Sequence, residues 1–305
     1  MLNRALHIKL ARSHYLLSTK LDLTSRASKM KKHATQQLTS ERGGLTMVKS
    51  GFIPGAIPTE LAASLAELGW RTEAVGHPDG TTTTAYVPLT SAEFLHPEEG
   101  YYLPNSTFHD KVSGDAKDML TRRYASDPII AVFRDLLIIW NIPDLAPHCP
   151  DVYVVRGIRN KQQNRSRFVV EDEGVRPALV IEVVSPRYRK EDRETKVEQY
   201  ERAQIQEYVI VDRRTQRGQV LEEVLGYRLV AGRYRPLTPD DDGRILCETV
   251  GLWISLREGN IVMEDVQTGE RLRTSEELEA ENEDLRARLA ALQAQLEGQG
   301  TPEAE

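Results

Sequence analysis

The sequence has little that would crosslink the chain or hold it in a membrane. Its 305 residues include two cysteines, Cys149 and Cys247, which lie far apart and form no CxxC pair. Neither a disulfide framework nor a thiolate metal site is therefore indicated, and a reducing, cytoplasmic location is expected. No segment approaches the roughly 18 uninterrupted apolar residues of a membrane span, so we expect no membrane role.

Several common catalytic motifs are also missing. The sequence contains no GxxxxGK[ST], GxSxG, HExxH or GxGxxG pattern. Functions that depend on a phosphate-binding loop, a serine nucleophile elbow, a helical zinc site or a dinucleotide fold have no local support. The candidate chemistry that remains is a small set of carboxylates inside apolar segments.

The charge distribution is uneven. Apolar residues make up 40% and charged residues 28%, as in globular proteins, and the formal net charge is −6. Residues 1–46 carry a net charge of +7, which leaves −13 for the remainder. A broad basic surface is therefore not expected, and any contact with nucleic acid must be confined to a local site. We expect the basic segment 1–46 to be a disordered tail, interpretable as a targeting peptide, a nucleic-acid-binding arm or an over-extended start before Met47, and we favour the last.

Apolar periodicity and turn signals divide the rest of the chain. We predict a lead-in segment at 47–108 with a helix near 60–68, a core at 109–217, a β-rich annex at 218–273, a coiled-coil helix at 274–297 and a disordered end at 298–305. Within the core the predicted order is helix, three strands, helix and strand. These elements are expected at 109–125, 129–140, 151–155, 178–184, 190–204 and 208–211.

The coiled-coil prediction rests on heptad spacing. One heptad position is occupied by Leu278, Leu285 and Leu292, and the other by Asn282, Leu289 and Leu296. A buried asparagine on such a seam favours a parallel two-stranded register, so a homodimer is expected. The alternative is a single amphipathic helix that packs on its own core.

Two acids stand where apolar residues would be expected. Glu182 interrupts the β-branched run 180–184, and Asp151 opens the apolar run 151–155. A carboxylate in a buried strand must be protonated, hydrogen-bonded or bound to a cation. Neighbouring strands could bring both acids to one edge of a sheet, where they would suit Mg²⁺. The alternative for each is a strand-end carboxylate bound by backbone amides.

The next helix adds a basic residue to this set. Asp192, Lys196 and Tyr200 are spaced by four residues and lie near one helix face, so Lys196 could lean toward the two acids. The alternative is an exposed lysine that pairs with Asp192.

These segments together resemble the Uma-type restriction endonuclease family, a bacterial branch of the PD-(D/E)XK nuclease superfamily. The resemblance covers roughly residues 86–270 and is most specific from Glu182 to Asp212. It is carried by the segments 177–186 and 208–212, together with Pro150-Asp151, Asp192, Lys196 and Tyr200. It implies an α/β, restriction endonuclease-like core with a mixed sheet. Val184 stands where the superfamily has its lysine, which in this family has moved to the following helix.

The resemblance also implies a function and a site. The expected activity is Mg²⁺-dependent hydrolysis of DNA by an endonuclease, with Mn²⁺ as a possible substitute. Asp151, Glu182 and Lys196 would be the catalytic residues, and Asp151, Glu182 and the main-chain carbonyl of Val183 would hold the metal. An acid on the first core helix often assists in this superfamily, and the candidates are Asp110, Asp115 and Asp118.

Other interpretations remain open at the level of sequence. The basic connection could contact a DNA backbone or could be a solvated loop; it contains Arg156, Arg159, Lys161, Arg165 and Arg167. The alternative functions are a non-catalytic nucleic-acid-binding or assembly module and a metal hydrolase that acts on RNA or on a branched junction.

Overall fold

The computed structural model describes residues 59–98 and 100–299, so the predicted tail at 1–46 lies outside the described residues. Helices α1 to α6 are at Thr59–Leu68, Ser91–Leu95, Thr107–Arg123, Val170–Glu173, Lys196–Arg202 and Ser275–Gln299. A 3₁₀ turn at Pro186–Tyr188 and a π-helical turn at Glu191–Thr195 precede α5. Strands β1 to β13 are at Trp70–Gly76, Thr82–Pro88, Ile130–Phe133, Ile138–Ile139, Val152–Arg156, Phe168–Val169, Pro177–Val183, Glu207–Gln216, Gln219–Val230, Arg233–Pro236, Ile245–Cys247, Leu252–Arg257 and Asn260–Asp265.

The centre of the fold is a mixed six-stranded sheet in the order β10-β9-β8-β7-β5-β3. The pairing is antiparallel except between β7 and β8, which are parallel and joined through α5. The chain order α3, β3, β5, β7, α5, β8 confirms the predicted helix, three strands, helix and strand. Every residue of β7 is buried, as the β-branched composition of this segment predicts. The predicted α/β, restriction endonuclease-like fold is confirmed.

The segment 129–140 was predicted as one strand, and this prediction was wrong. The structure has two short strands, β3 and β4, separated by a bend at Arg134-Asp135. Asp135 has a φ of 51°, a left-handed conformation that no strand can continue through. The charged pair that interrupts the apolar run is therefore a bend. Beyond it Ile138 still pairs antiparallel with His148, and β4 pairs with β6 outside the main sheet.

The annex is rich in strands, but it is not a separate unit. Strands β9 and β10 extend the core sheet, whereas β11, β12 and β13 form their own antiparallel sheet. The β8–β9 hairpin turns through Arg217 and Gly218, whose φ angles are 52° and 78°. Two successive positive φ angles make the tight turn that fits the twist of paired strands, so β9 returns along β8. The expected division at 217/218 therefore falls inside one sheet.

The two faces of the sheet carry separate apolar cores. On one face α3 and the three-stranded sheet pack against inward residues such as Val152, Ile181 and Val209. On the other face Trp140, Tyr200 and Tyr208 pack with the alternate strand residues. Alternation along β7 places Glu182 among the side chains of the second face.

The lead-in segment is described from Thr59 onward, and the predicted helix near 60–68 is confirmed as α1. Gly69 reverses the chain after α1 with a φ of 71°, and an added Cβ would lie 2.5 Å from the carbonyl oxygen of Tyr102. Strands β1 and β2 then form an antiparallel hairpin. Tyr188 fastens this segment to the core, because its hydroxyl lies 2.7 Å from the carbonyl oxygens of both Leu68 and Leu89.

The C-terminal helix begins on the core and then leaves it. Arg122 of α3 donates hydrogen bonds to the Ser275 hydroxyl and to the Arg273 carbonyl oxygen. The side chains from Glu279 to Leu296 are all exposed. The helix continues to Gln299, so the end predicted as disordered at 298–305 begins with two helical residues, and 300–305 lie outside the described residues. Within the described ranges, every helix is too short or too polar to cross a membrane.

Candidate active site

Two strands bring Asp151 and Glu182 side by side. Strands β5 and β7 pair with Val152 opposite Ile181, so the residue before β5 lies next to Glu182. The main-chain N–H of Asp151 points at Glu182 Oε2 at 3.4 Å. The main-chain N–H of Val183 donates to Asp151 Oδ2 at 2.8 Å. The three residues expected to hold a metal therefore lie together at one edge of the sheet.

The helical segment after β7 adds a cation to this edge. Asp192 lies in the π-helical turn, and Lys196 begins α5 one turn later. Lys196 Nζ lies 2.9 Å from Asp192 Oδ1 and 3.2 Å from Glu182 Oε1. The side chain of Lys196 is 11% exposed. The alternative of an exposed lysine is therefore wrong. Lys196 does pair with Asp192, but the pair is buried and Lys196 also contacts Glu182.

The acids are also fixed by neutral donors. The Tyr200 hydroxyl donates to Glu182 Oε1 at 2.7 Å. The main-chain N–H of Ser185 donates to Asp192 Oδ2 at 3.1 Å. The sequence relates Tyr200 to Lys196 by spacing without placing it in the site, and it predicts Asp192 only as a partner of Lys196. Both line the same cleft as Asp151 and Glu182.

The first core helix contributes a histidine to the cleft. His109 Nε2 lies 3.0 Å from Asp151 Oδ2. The three acids considered at this place point elsewhere: Asp110 pairs with Arg134, Asp115 with Lys111, and Asp118 with Lys117. None of these three acids lines the cleft. No sequence signal identifies His109 as a site residue. Its contact with Asp151 depends on which face of α3 packs against β5.

The charges of the cleft shift several pKa values. Burial raises the pKa of Glu182 to about 8, and Lys196 opposes this effect. Burial would also raise the pKa of Asp151, but His109 and Lys196 lower it to about 2. Burial would lower the pKa of Lys196, yet Asp192 and Glu182 raise it well above its ordinary value. At neutral pH the cleft thus holds Asp151 ionised, Glu182 protonated and Lys196 charged.

The donor atoms of the cleft fit a hard divalent cation. Among the described residues, no group of three or more His, Cys, Asp or Glu side chains could hold a metal by themselves. Mg²⁺ needs fewer, since it takes one or two carboxylates and completes its shell with water and phosphate. Asp151 Oδ1 and Glu182 Oε2 accept no hydrogen bond shorter than 3.4 Å from the described residues. The cavity volume of about 50 Å³ leaves room for a few water-sized ligands.

A buried histidine supports the helix that carries Lys196. His148 is 1% exposed, accepts a hydrogen bond on Nδ1 from Trp140 Nε1 at 2.7 Å, and places Nε2 2.8 Å from Gln199 Oε1. The tautomer that satisfies both contacts carries its proton on Nε2. Burial lowers the pKa of His148 to about 4. A second proton would have to sit on Nδ1, where Trp140 already donates.

This arrangement predicts that acid destabilises the protein through His148. An unfolded chain takes up a proton near pH 6.5, whereas the folded chain resists until about pH 4, so the stabilising effect is full above pH 6.5 and is lost as the pH falls toward 4. Between pH 7 and pH 5 the loss should be about 2 kcal/mol. Urea denaturation of the parent and of His148→Asn at both pH values measures it, and the variant should lack this part of the decrease.

A comparison with the variant is needed because Glu182 acts in the opposite direction. Its raised pKa means that the unfolded chain releases a proton that the folded chain keeps, so stability is lost as the pH rises from about 4.5 to about 8. The parent alone would show the sum of these opposite effects and of other groups whose pKa values shift, such as His109. Equal losses of stability in the parent and in His148→Asn would contradict the prediction.

The basic connection after β5 is mostly occupied by structural contacts. Lys161 Nζ donates to the carbonyl oxygen of Asp127 at 2.8 Å. Arg165 is 3% exposed, pairs with Glu173 at 2.6 Å and donates to three main-chain carbonyl oxygens. Arg156 donates to the Thr249 carbonyl oxygen. The sequence left two alternatives for this connection, a solvated loop and a set of DNA contacts. These three side chains fit neither, because they bind other parts of the protein.

Comparison with known proteins gives matches at the level of family and fold. The family model described as "Uma2: Putative restriction endonuclease" matches residues 99–257, just over half of the chain. One similar solved structure is that of "a putative nuclease belonging to DUF820 from Anabaena variabilis ATCC 29413". It is 14% identical, has a TM-score of 0.35, and the match covers 51% of this chain and 86% of that chain. No curated protein matches.

Proposed function

The chain belongs to the Uma2 restriction endonuclease family, and we propose that it is a divalent-metal-dependent endonuclease that hydrolyses phosphodiester bonds in DNA. One observation carries the proposal: Asp151 before β5, Glu182 in β7 and Lys196 in α5 line a single cleft. Stability alone does not explain why two acids and a lysine are buried together. Apolar side chains of the same volume often stabilise a core as well as a buried ion pair does.

Asp151, Glu182 and the Val183 carbonyl would hold Mg²⁺, and Mn²⁺ would fit the same oxygen donors. The ion would supply positive charge to a phosphate oxygen and make a bound water more acidic. The ionised state of Asp151 suits this role, because its pKa of about 2 leaves it negatively charged at neutral pH. Glu182 would have to lose its proton as the cation enters.

Lys196 would stabilise the charge that gathers on the phosphate during hydrolysis. Its ammonium group is held by Asp192 and Glu182, so it need not be reoriented when the substrate arrives. A preorganised charge in a poorly hydrated cleft has a larger effect than the same charge in water. Asp192 is a positioning residue in this scheme, because it acts on Lys196 and not on the reacting atoms.

The proposal is tested by incubating plasmid DNA and defined oligonucleotides with the purified protein in Mg²⁺, in Mn²⁺ and in EDTA, beside Glu182→Ala. We expect cleavage by the parent in either metal and none in EDTA or with the variant. A parent that binds DNA but cuts none of these substrates would instead identify a non-catalytic nucleic-acid-binding module. Cleavage confined to RNA or to branched DNA would show that the substrate differs from the one proposed, while metal-dependent phosphodiester hydrolysis would still hold.

We also propose that a second copy of the chain is a partner through helix α6. Four leucines on one stripe of this helix are 49% to 70% exposed: Leu285, Leu289, Leu292 and Leu296. A single helix of this kind is marginally stable in water without a packed face. Charge placement agrees with a parallel pair, since Glu281 of one helix would face Arg286 of the other.

Light scattering tests this dimer with charge-matched variants. Leu289→Glu/Leu292→Glu should give the mass of a monomer, because four carboxylates would be buried on the seam of a dimer. Ala287→Glu/Ala294→Glu adds the same charge on the outer face and should leave the mass of a dimer. The same mass for both variants would show that the leucine stripe does not mediate association.

A further inference from the structure

The carboxylates of the cleft lie deep below its opening. The side chains of Asp151, Glu182 and Asp192 are 12%, 3% and 2% exposed. The cavity above them has a volume of about 50 Å³, which accommodates a few water molecules but not a nucleotide. A phosphate that is to reach Lys196 must therefore pass the rim of the cleft.

The lead-in segment supplies that rim. It contributes six residues to the lining, namely Phe94, Leu95, Pro97, Leu103, Pro104 and Asn105. The Phe94 ring lies 5.2 Å from Lys196 Nζ and stacks on Tyr188 with a centroid distance of 4.0 Å. We call these six residues the rim wall. Its first three members precede the region matched by the family model.

Contacts outside the cleft hold the rim wall in place. The Tyr188 hydroxyl bridges the carbonyl oxygens of Leu68 and Leu89, on either side of the β1–β2 hairpin. Arg187 pairs with Glu67 of α1, and both side chains are more than half exposed. Neither Tyr188 nor this ion pair lines the cleft. The position of the wall can therefore be changed without altering a residue of the site.

We infer that the rim wall makes this site selective for unpaired DNA strands, an inference that rests on the proposed nuclease function. A duplex is stiff over about 150 base pairs, and its phosphates are flanked by stacked pairs that cannot follow one phosphate into a narrow cleft. A single strand bends at each nucleotide, so one phosphate can enter while its neighbours turn away. Pro97, Leu103 and Pro104 of the wall are partly exposed and offer an unstacked base an apolar surface for contact.

The experiment compares single-stranded and duplex DNA of one sequence, in the full-length protein. Cleavage rates are measured in Mg²⁺, and binding is measured by fluorescence anisotropy in EDTA. The parent should cut and bind the single strand at least about tenfold better, which corresponds to about 1.4 kcal/mol. Tyr188→Phe/Glu67→Arg removes the hydroxyl bridge and sets like charges against each other, so it should raise duplex cleavage and binding and leave the single strand unchanged.

A charge swap is the matched control. Arg187→Glu is added to the variant Tyr188→Phe/Glu67→Arg, called the loosened variant. It restores an ion pair between positions 67 and 187 with the charges exchanged, and should return part of the preference for single strands. Equal cleavage and binding of the two DNA forms by the parent, or a preference unaffected by loosening, overturns the inference. If no DNA is cut but the anisotropy preference responds as described, the proposed nuclease function fails and the selectivity of the cleft is upheld.

Discussion

Replacement of Asp151, Glu182 or Lys196 by alanine is expected to abolish DNA cleavage, and the three variants should fail at different steps. Loss of Asp151 or Glu182 removes a metal ligand, so the Mg²⁺ concentration needed for activity should rise steeply. Loss of Lys196 should leave Mg²⁺ binding nearly unchanged and lower kcat by about 100-fold or more, the scale of a lost transition-state donor.

Titration of the cleavage rate with Mg²⁺, together with calorimetric Mg²⁺ binding, separates these effects. Lys190→Ala is the matched control, because Lys190 is an exposed lysine on the same helical segment and should behave as the parent does. Lys196→Arg keeps the charge but not its shape and should recover little activity. The assignment of roles is wrong if Lys196→Ala reaches the parental kcat at saturating Mg²⁺.

Removal of the Lys196 charge should also destabilise the fold. Lys196→Ala leaves Asp192 buried without its cation, and breaking a buried ion pair from one side costs about 3–5 kcal/mol. The double variant Lys196→Ala/Asp192→Asn should recover much of this loss, because the asparagine is neutral. Urea denaturation in EDTA at pH 7 measures each free energy of unfolding.

Glu182→Gln should behave differently from Lys196→Ala in the same measurement. Because burial raises the pKa of Glu182 to about 8, this side chain is protonated at pH 7 in the absence of metal, and glutamine resembles the protonated acid. The variant should therefore unfold at no lower urea concentration than the metal-free parent. Mg²⁺ should stabilise the parent and not the variant, since an ion that binds only the folded state shifts its stability. A destabilised variant, together with a parent that Mg²⁺ does not shift, would mark Glu182 as a structural acid.

The sequence by itself determined the core order, the buried strands and two acids that needed an explanation. An acid inside a β-branched run is visible without a structure, because a buried carboxylate needs a compensating partner whichever elements pack around it. Helical spacing likewise related Asp192, Lys196 and Tyr200 to one another. Each of these signals is local, since periodicity and burial cost are properties of a single element.

Only the tertiary structure decided which residues complete the cleft and which do not. His109 reaches Asp151 and Phe94 reaches Lys196 across chain separations that no periodicity describes. The acids of α3 point away because the helix must bury Val112, Ala116 and Met119, and this choice fixes the direction of every other side chain on it. Arg156 and Arg165 donate to carbonyl oxygens that become their neighbours only when the chain folds. Contacts between elements depend on packing angles and on loop paths, and these are set by the whole core rather than by any one segment.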